Sequence, residues 1–332
     1  MASDRMKKTE LLKILREAKD YISGQQLCEH FGVSRTAVWK MIHQLQEEGY
    51  KIEAVKNRGY RMRKIPDVIT AQELVSRLKT KWMGRPCLYL ERVDSTNNYA
   101  KKIAEEGALE GTLVVAREQT AGRGRRGRSW TTLEDVNIMM TLLLRPKIRP
   151  DSASRLTLLM AMAVACGIRK VTGLEALIKW PNDVVVDAKK VCGILTEMNT
   201  EIDYINYVVI GAGINVNQKE FPTEIQDTAS SLCIALGENI SRAELMAAVM
   251  EALERFYEIF LKTQDLTELY QEYNTLCVNC GRQVRVLEPG HEYIGTAVGI
   301  NKNGELIVRR ENGEQTLVYA GEVSVRGVYG YV

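Results

Sequence analysis

The chain holds 332 residues, beyond the roughly 250 to 300 at which single cores stop growing, so two or three domains are expected. A composition that is 45% hydrophobic and 26% charged, with seven prolines and no low-complexity tract, excludes a disordered chain. Net charge is only +3, yet residues 1–66 hold 14 Lys and Arg against 8 Asp and Glu, and the remainder 31 against 34, so a polyanionic partner is expected at the front.

The first ten residues carry charges with no apolar run behind them, and no stretch reaches about 18 uninterrupted apolar residues. No membrane partner is expected, and the protein is placed in the cytoplasm. Leu11, Leu12, Ile14 and Leu15 fall at helical spacing, and Ser23-Gly24-Gln25-Gln26 is a capping box for a second helix. After a turn at Gly32-Val33, Ser34 can cap a third helix running to Glu48. Val38, Met41, Ile42 and Leu45 share one face of it, and Arg35, Thr36, Trp39, Lys40, His43 and Gln44 the other.

Two helices joined by such a turn, the second presenting cations and amide donors, have the geometry of a helix-turn-helix. Residues 50–54 and 59–62 can pair as a hairpin around 55–58, a basic wing suited to phosphates. The segment resembles the winged helix-turn-helix of bacterial repressors, and Ser34, Arg35, Thr36, Trp39, Lys40 and Gln44, with Lys56 and Arg58 on the wing, are the candidate DNA contacts. A small helical interaction domain with a merely solvated charged face is the alternative. Ile65-Pro66-Asp67 reads as a linker, and Thr70-Ala71-Gln72-Glu73 as a capping box that opens a new domain.

Between about 70 and 275, strands are predicted at 88–92, 112–117, 137–144, 178–180, 191–198 and 204–210, and helices at about 96–106, 152–171 and 241–262. Strands that follow one another without a helix between them argue for an α+β domain with a mixed or antiparallel sheet. Between two of these strands, Gly122-Arg123-Gly124-Arg125-Arg126-Gly127-Arg128 places four cations and three glycines in seven residues. Glycine lets the backbone approach a ligand closely, and arginine supplies forked donors matched to phosphate and carboxylate. A disordered RNA-binding segment has a similar composition. Because the run lies inside a folded region, a loop that orders over an anionic ligand is the better reading.

The run resembles the signature loop of biotin protein ligases. Asp94-Ser95-Thr96-Asn97, Lys179-Trp180-Pro181-Asn182-Asp183, Lys190-Val191-Cys192-Gly193-Ile194-Leu195 and Gly211-Ala212-Gly213-Ile214-Asn215 join it in the family's order and at compatible spacing. With the front domain, the chain is similar to the bifunctional ligases that also repress a biotin operon. That resemblance implies activation of biotin by ATP to biotinoyl-5′-AMP and transfer to a lysine of a biotin carrier domain. It also implies a homodimer on operator DNA favoured by the adenylate. Biotin, ATP and Mg²⁺ are the implied small molecules.

The resemblance also assigns residues. Lys190, Arg125 and Asp183 would be catalytic, with Asp183 also a magnesium contact. Ser95, Thr96, Asn97, Gln119, Gly122, Arg123, Gly124, Arg125, Lys190 and Gly193 would hold biotin or its adenylate. Arg128, Trp130, Asn182, Gly211, Gly213 and Asn215 would hold the nucleotide. Each has a plainer alternative: Ser95, Thr96 and Asn97 could cap the helix that starts there, Lys190 could be a turn lysine beside Lys189, and the glycines could mark bulges. Asn182 and Asp183 are read as ending a buried strand, where polar groups need partners.

From Gly281, short alternating segments at 283–287, 294–300, 306–310, 315–319 and 323–328 are split by Pro289-Gly290, Asn303-Gly304 and Asn312-Gly313, the pattern of a small antiparallel barrel. Gly321 to Arg326 and Gly299-Ile300-Asn301 match the family's SH3-like C-terminal domain. Cysteines at 28, 87, 166, 192, 233, 277 and 280 form an odd, scattered set of reduced thiols. Cys277-Val278-Asn279-Cys280 has the spacing of a redox or zinc half-site but no second pair.

The expected fold is therefore multidomain α+β. It comprises a winged helix-turn-helix over 1–66, an α/β ligase domain of class II synthetase type with a mixed sheet over 67–278, and an SH3-like β-barrel over 279–332. A biotin-sensing transcription factor without ligase activity is one competing reading. A lipoate-type protein ligase is another, and it fits the front domain and tail less well.

Overall fold

The computed structural model describes residues 2–64, 67–130, 133–287, 292–319, 324–327 and 331–332, and the chain divides into two compact units, Met1–Arg77 and Leu78–Val332.

The front unit starts with three helices, α1 (Ala2–Glu17), α2 (Gly24–Phe31) and α3 (Arg35–Glu47). The box that opens α2 is complete: the Ser23 hydroxyl accepts from the Gln26 amide at 3.1 Å, and the Gln26 side chain accepts from the Ser23 amide at 2.9 Å. Leu11, Leu12 and Leu15 of α1 pack with Leu27 and Phe31 of α2 and with Val38, Ile42 and Leu45 of α3. Strands β1 (Lys51–Val55) and β2 (Gly59–Lys64) form the wing, closed where Val55 pairs with Gly59.

Gly59 is needed there on two counts. Its φ is 110°, and a Cβ would lie 2.0 Å from the Ile22 carbonyl oxygen. At that point Tyr60 and Ile22 exchange backbone hydrogen bonds of 2.8 and 2.9 Å, which tie the wing to the segment before α2.

Helix α4 (Ala71–Arg77) begins at the second box, where the Thr70 hydroxyl accepts from the Glu73 amide at 3.0 Å. The Glu73 carboxylate is buried, and buried charge persists only when paired. It receives Arg16 at 3.0 Å, Arg77 at 2.6 Å and the Tyr50 hydroxyl at 2.6 Å. Burial, and then the Glu73 charge, push the Tyr50 phenol well above its usual range. The helix that the sequence assigns to the start of the second domain thus packs within the first unit, and the boundary between units follows Arg77. Ile65 and Pro66 of the expected linker lie outside the described residues.

The second unit is built on a seven-stranded sheet. In chain order it runs β3 (Cys87–Val93), α5 (Thr96–Glu105), β4 (Leu113–Gln119), β5 (Ile138–Leu144), α6 (Ser154–Thr172), β6 (Leu177–Lys179), β7 (Asp183–Val186), β8 (Lys189–Thr200) and β9 (Ile205–Ile214). Across the sheet the order is β3-β4-β5-β9-β8-β7-β6; β3 and β4 are parallel and every other pair antiparallel, so the sheet is mixed.

Strand β5 is buried along its whole length, because helices cover both faces. Ala100 and Ala104 of α5 meet Val114, Leu143 and Val209 on one face. On the other, the Thr157 hydroxyl of α6 lies 2.8 Å from that of Thr196 on β8. Pro150–Thr172 is long and apolar enough to cross a membrane by length and composition, but most of its apolar stretch is buried inside the unit.

Helices α7 (Leu232–Leu236), α8 (Arg242–Thr263) and α9 (Tyr270–Leu276) follow. Buried Glu254 of α8 accepts the backbone amides of Lys81, Trp82 and Met83 at 2.9, 3.0 and 3.0 Å; against the upward push of burial, these donors hold its carboxyl below the usual range.

The tail is a five-stranded antiparallel sheet of β10 (Gln283–Leu287), β11 (Tyr293–Ile300), β12 (Leu306–Arg309), β13 (Gln315–Val318) and β14 (Ser324–Gly327), in the order β13-β12-β11-β10-β14. The predicted turn at Pro289-Gly290 and residues 321–323 lie outside the described residues. Asn279 Oδ1 accepts from the Trp180 amide at 2.8 Å, and the Gly304 carbonyl accepts from the Trp180 indole at 3.1 Å, so the tail is fixed to the turn between β6 and β7.

Candidate functional site

One cavity of about 560 Å³ gathers most of the singled-out residues, within the range that holds drug-sized ligands. At one end, Ser95 occupies the N-cap position of α5 without making the cap hydrogen bond, so that helix does not use its hydroxyl. The amide and hydroxyl of Thr96 donate to Gln119 Oε1 at 2.7 and 2.9 Å. Asn97 Nδ2 donates to Glu197 at 2.8 Å and to the Leu195 carbonyl at 3.2 Å.

Thr141 completes this niche. Its hydroxyl stands 2.8 Å from Thr96 Oγ1 and 2.7 Å from Asn97 Oδ1. Glu197 in turn takes Lys101 at 2.8 Å; although burial pushes its carboxyl up, Lys101 and Asn97 hold it low. Donors and acceptors therefore line a pocket largely removed from water, which suits a small, polar ring.

The arginine run closes as a hairpin. Gly124 N donates to the Arg128 carbonyl at 2.7 Å, Trp130 N to the Gly122 carbonyl at 2.9 Å, and Arg123 bridges to Ser129. Gly122 lies outside the lining; a Cβ there would meet the Trp130 carbonyl oxygen at 2.5 Å, so it serves the hairpin itself. Arg123, Gly124, Arg125 and Arg128 line the cavity. Arg125 donates to Asn182 Oδ1 at 2.8 Å. Burial, then the neighbouring Arg126 charge, weaken the hold of its guanidinium on the proton, while Asp183 opposes them. Such crowding of positive charge is relieved by an anion.

Asn182 and Asp183 do not end a strand as expected. Strand β6 stops at Lys179, Trp180 to Asn182 form the turn, and Asp183 opens β7. Polar residues placed at a turn can face the cavity rather than the core. Asp183 Oδ1 takes the Lys190 ammonium at 2.6 Å. Lys189 points elsewhere, to the Gln226 carbonyl at 3.0 Å. A register shift between Val184 and Val185 in the β7–β8 pairing accompanies this division.

The strand glycines receive side chains of the chain itself. Gly193 and Gly213 pair across β8 and β9 under the Trp130 indole, where added Cβ atoms would lie 3.0 Å and 2.5 Å from the ring. At Gly211 a Cβ would be 2.2 Å from Asn97 Oδ1. Among the described residues, Trp130 Nε1 is buried without a hydrogen-bond partner. Asn215 lies outside the lining, its amide donating to the Ser230 carbonyl at 3.1 Å.

Residues 89–215 match the Biotin/lipoate A/B protein ligase family, residues 7–61 an HTH domain, and residues 280–326 the Biotin protein ligase C terminal domain. A Bacillus subtilis protein named bifunctional ligase/repressor BirA is 39% identical over 95% of this chain and 98% of its own length. The chain belongs to the biotin protein ligase family. An Escherichia coli relative of the same name is 29% identical over 92% of this chain and 94% of its own. The biotin protein ligase of Aquifex aeolicus, solved with biotin and ATP, covers 73% of this family member and 98% of its own chain, at a TM-score of 0.64 and 30% identity.

In the front unit of this family member, Arg35, Thr36, Trp39, Lys40 and Gln44 are exposed on α3, opposite its buried face. Trp39 is 55% exposed and stacks on His43. Ser34 is spent on its cap, accepting from the Ala37 amide at 3.3 Å. On the wing, Lys56 and Arg58 are exposed, with the Arg58 guanidinium 4.4 Å from the Tyr21 ring.

Four residues of the second unit escaped the sequence reading. Thr141 left a signal, being a lone hydroxyl in the apolar strand Ile138–Leu144. Lys179 opens the Lys179-Trp180-Pro181-Asn182-Asp183 motif and is buried against the cavity. Glu197 and Tyr331 left none. Among the described residues, no three His, Cys, Asp or Glu converge as a metal site, and Asp183 is the single carboxylate on the lining.

Proposed function

We propose that this family member joins biotin to AMP and then to a carrier lysine, and that the adenylate-bound form represses transcription. One observation carries the reading: a hydrogen-bonding niche at Thr96, Asn97 and Gln119 shares a cavity with Arg123, Arg125, Arg128 and Lys190. The niche suits the biotin ureido ring, and the cations suit the carboxylate and phosphates that must meet.

In the first step a biotin carboxylate oxygen attacks the α-phosphorus of ATP, the bond to the bridging oxygen breaks, and pyrophosphate leaves. Two anions repel, so catalysis here is chiefly positioning and charge compensation. Arg125, Arg123 and Lys190 supply it, and the Lys190–Asp183 pair fixes where the ammonium stands. In the second step a carrier lysine amine attacks the acyl carbon of the mixed anhydride. The new amide forms, AMP departs with the electron pair of the broken bond, and the amine's proton is released.

ATP brings magnesium with it, an ion that keeps waters and phosphates as most of its ligands. Asp183 would be the protein carboxylate beside it, where the ion would offset phosphate charge, since among the described residues no other carboxylate lines the cavity. Trp130 and Asn182 serve the nucleotide side.

The relatives named ligase/repressor, the HTH match and the exposed face of α3 support the second activity. Two-fold operators require two copies, so the adenylate-loaded chain acts as a homodimer with α3 in the major groove. Biotin-dependent ATP–pyrophosphate exchange tests the ligase activity, and its absence would defeat it; lipoate outcompeting biotin would redirect the substrate. Footprinting without adenylate-enhanced protection of a palindromic site would defeat repression.

A further inference from the structure

The chain's penultimate residue lines the cavity. Its phenol donates to Asp183 Oδ2 at 2.6 Å, while Asp183 Oδ1 takes Lys190 at 2.6 Å and the Asn182 amide at 3.3 Å. The two carboxylate oxygens thus have different donors, and the group cannot rotate without breaking a hydrogen bond. The same ring lies 3.3 Å from the Lys179 ammonium, whose residue is only 5% exposed. A cation kept from water gains from an aromatic face.

We propose that Tyr331 is a positioning residue of the adenylation site, acting through Asp183 and Lys179. The inference rests on reading this cavity as the site where biotin meets ATP. Lys179 ends β6, Asp183 opens β7 and Lys190 stands on β8, so one side chain from the chain's end touches two adjoining elements and reaches the third through a carboxylate. Two ammonium groups that face the same cavity repel each other. Tyr331 holds one by its ring and fixes the carboxylate that holds the other. It thereby sets the spacing of two charges on the lining of this cavity.

The test uses the full chain with Tyr331→Phe, which keeps the ring on Lys179 and removes one hydrogen bond, and Tyr331→Leu, which removes both interactions. Biotin-dependent ATP–pyrophosphate exchange is measured with separate biotin and ATP titrations, and biotin binding is measured without ATP. Loss of a hydrogen bond to a charged group lowers the Tyr331→Phe kcat about ten- to a hundredfold, with biotin binding unchanged. Tyr331→Leu shows that fall and a raised KM for ATP. Wild-type exchange in Tyr331→Phe would overturn the proposal, as would a fall matched by equally weakened biotin binding, the mark of a damaged fold. No exchange in the wild-type chain would overturn the assignment of the cavity, and this inference with it.

Discussion

A single methyl group at Gly213 tests whether the indole of Trp130 is seated by the bare backbone beneath it. In Gly213→Ala the new Cβ would stand 2.5 Å from Trp130 Cε2 and 2.6 Å from Nε1, about 1 Å inside ordinary van der Waals separation. The backbone cannot retreat, because Gly213 is paired to Met139 on one side and Gly193 on the other. The indole must swing away at an overpacking cost of about 1 to 3 kcal/mol. Denaturant unfolding of Gly213→Ala, Trp130→Ala and the double variant closes a cycle, and the expected coupling is of that size, with the Gly213→Ala cost vanishing when the ring is absent. The KM for ATP rises in Gly213→Ala while biotin binding holds, since Thr96, Asn97 and Gln119 lie on other elements. Additive costs would refute the seating, and so would an unchanged KM for ATP.

Arg125→Gly removes a partly buried cation and its bond to Asn182, so the adenylate should be held less tightly, by about 1.5 to 3 kcal/mol, and dissociate correspondingly faster; stopped-flow release at the wild-type rate would count against that role. Glu254→Gln weakens a carboxylate that collects three backbone amides and should cost about 1 to 3 kcal/mol at neutral pH. Because the folded-state pKa of Glu254 lies below its usual 4.5, the stability it gives is present above that value and lost as pH falls through the lowered one; acid melts of the variant should lack this component. Lys56→Ala with Arg58→Ala should weaken DNA binding about equally for all sequences and flatten the salt dependence by about 0.9 for each phosphate that is no longer neutralised. An unchanged slope would remove the wing from the interface.

Much of the fold was legible because its signals are local. Periodicity located α5, α6 and α8 and most strands, and the Ser23 box marked α2 as it stands. Strand β7 was missed because Asp183–Val186 is four residues long and fully apolar after its first, too short for an alternation to show. The Thr70 box marked the start of α4 correctly but not what the helix packs against, since that depends on Arg16 and Tyr50, over 20 residues away in sequence. The site divides in the same way. The motifs named many of its residues but not Lys179 or Tyr331, and the structure brings Thr96, Gln119, Arg125, Asp183 and Lys190 to one cavity. The meaning of the glycines was not legible, because what fills the space beside Gly211 and Gly213 arrives from α5 and from the arginine hairpin.

The turn between β7 and β8 decides more than a change of direction. Asp187 and Ala188 carry φ of 50° and 62°, a left-handed pair that non-glycine residues adopt at some cost. That two-residue reversal and the shift beyond it count out which of two neighbouring lysines faces Asp183 and which faces Gln226. Side chains alternate along a strand, so a slip of one place would bring a neighbouring residue to the carboxylate. The doublet Lys189-Lys190 therefore makes the count consequential in one direction: a slip that brings Lys189 to the place of Lys190 keeps an ammonium beside Asp183, whereas the opposite slip puts Val191 there and leaves the carboxylate without it.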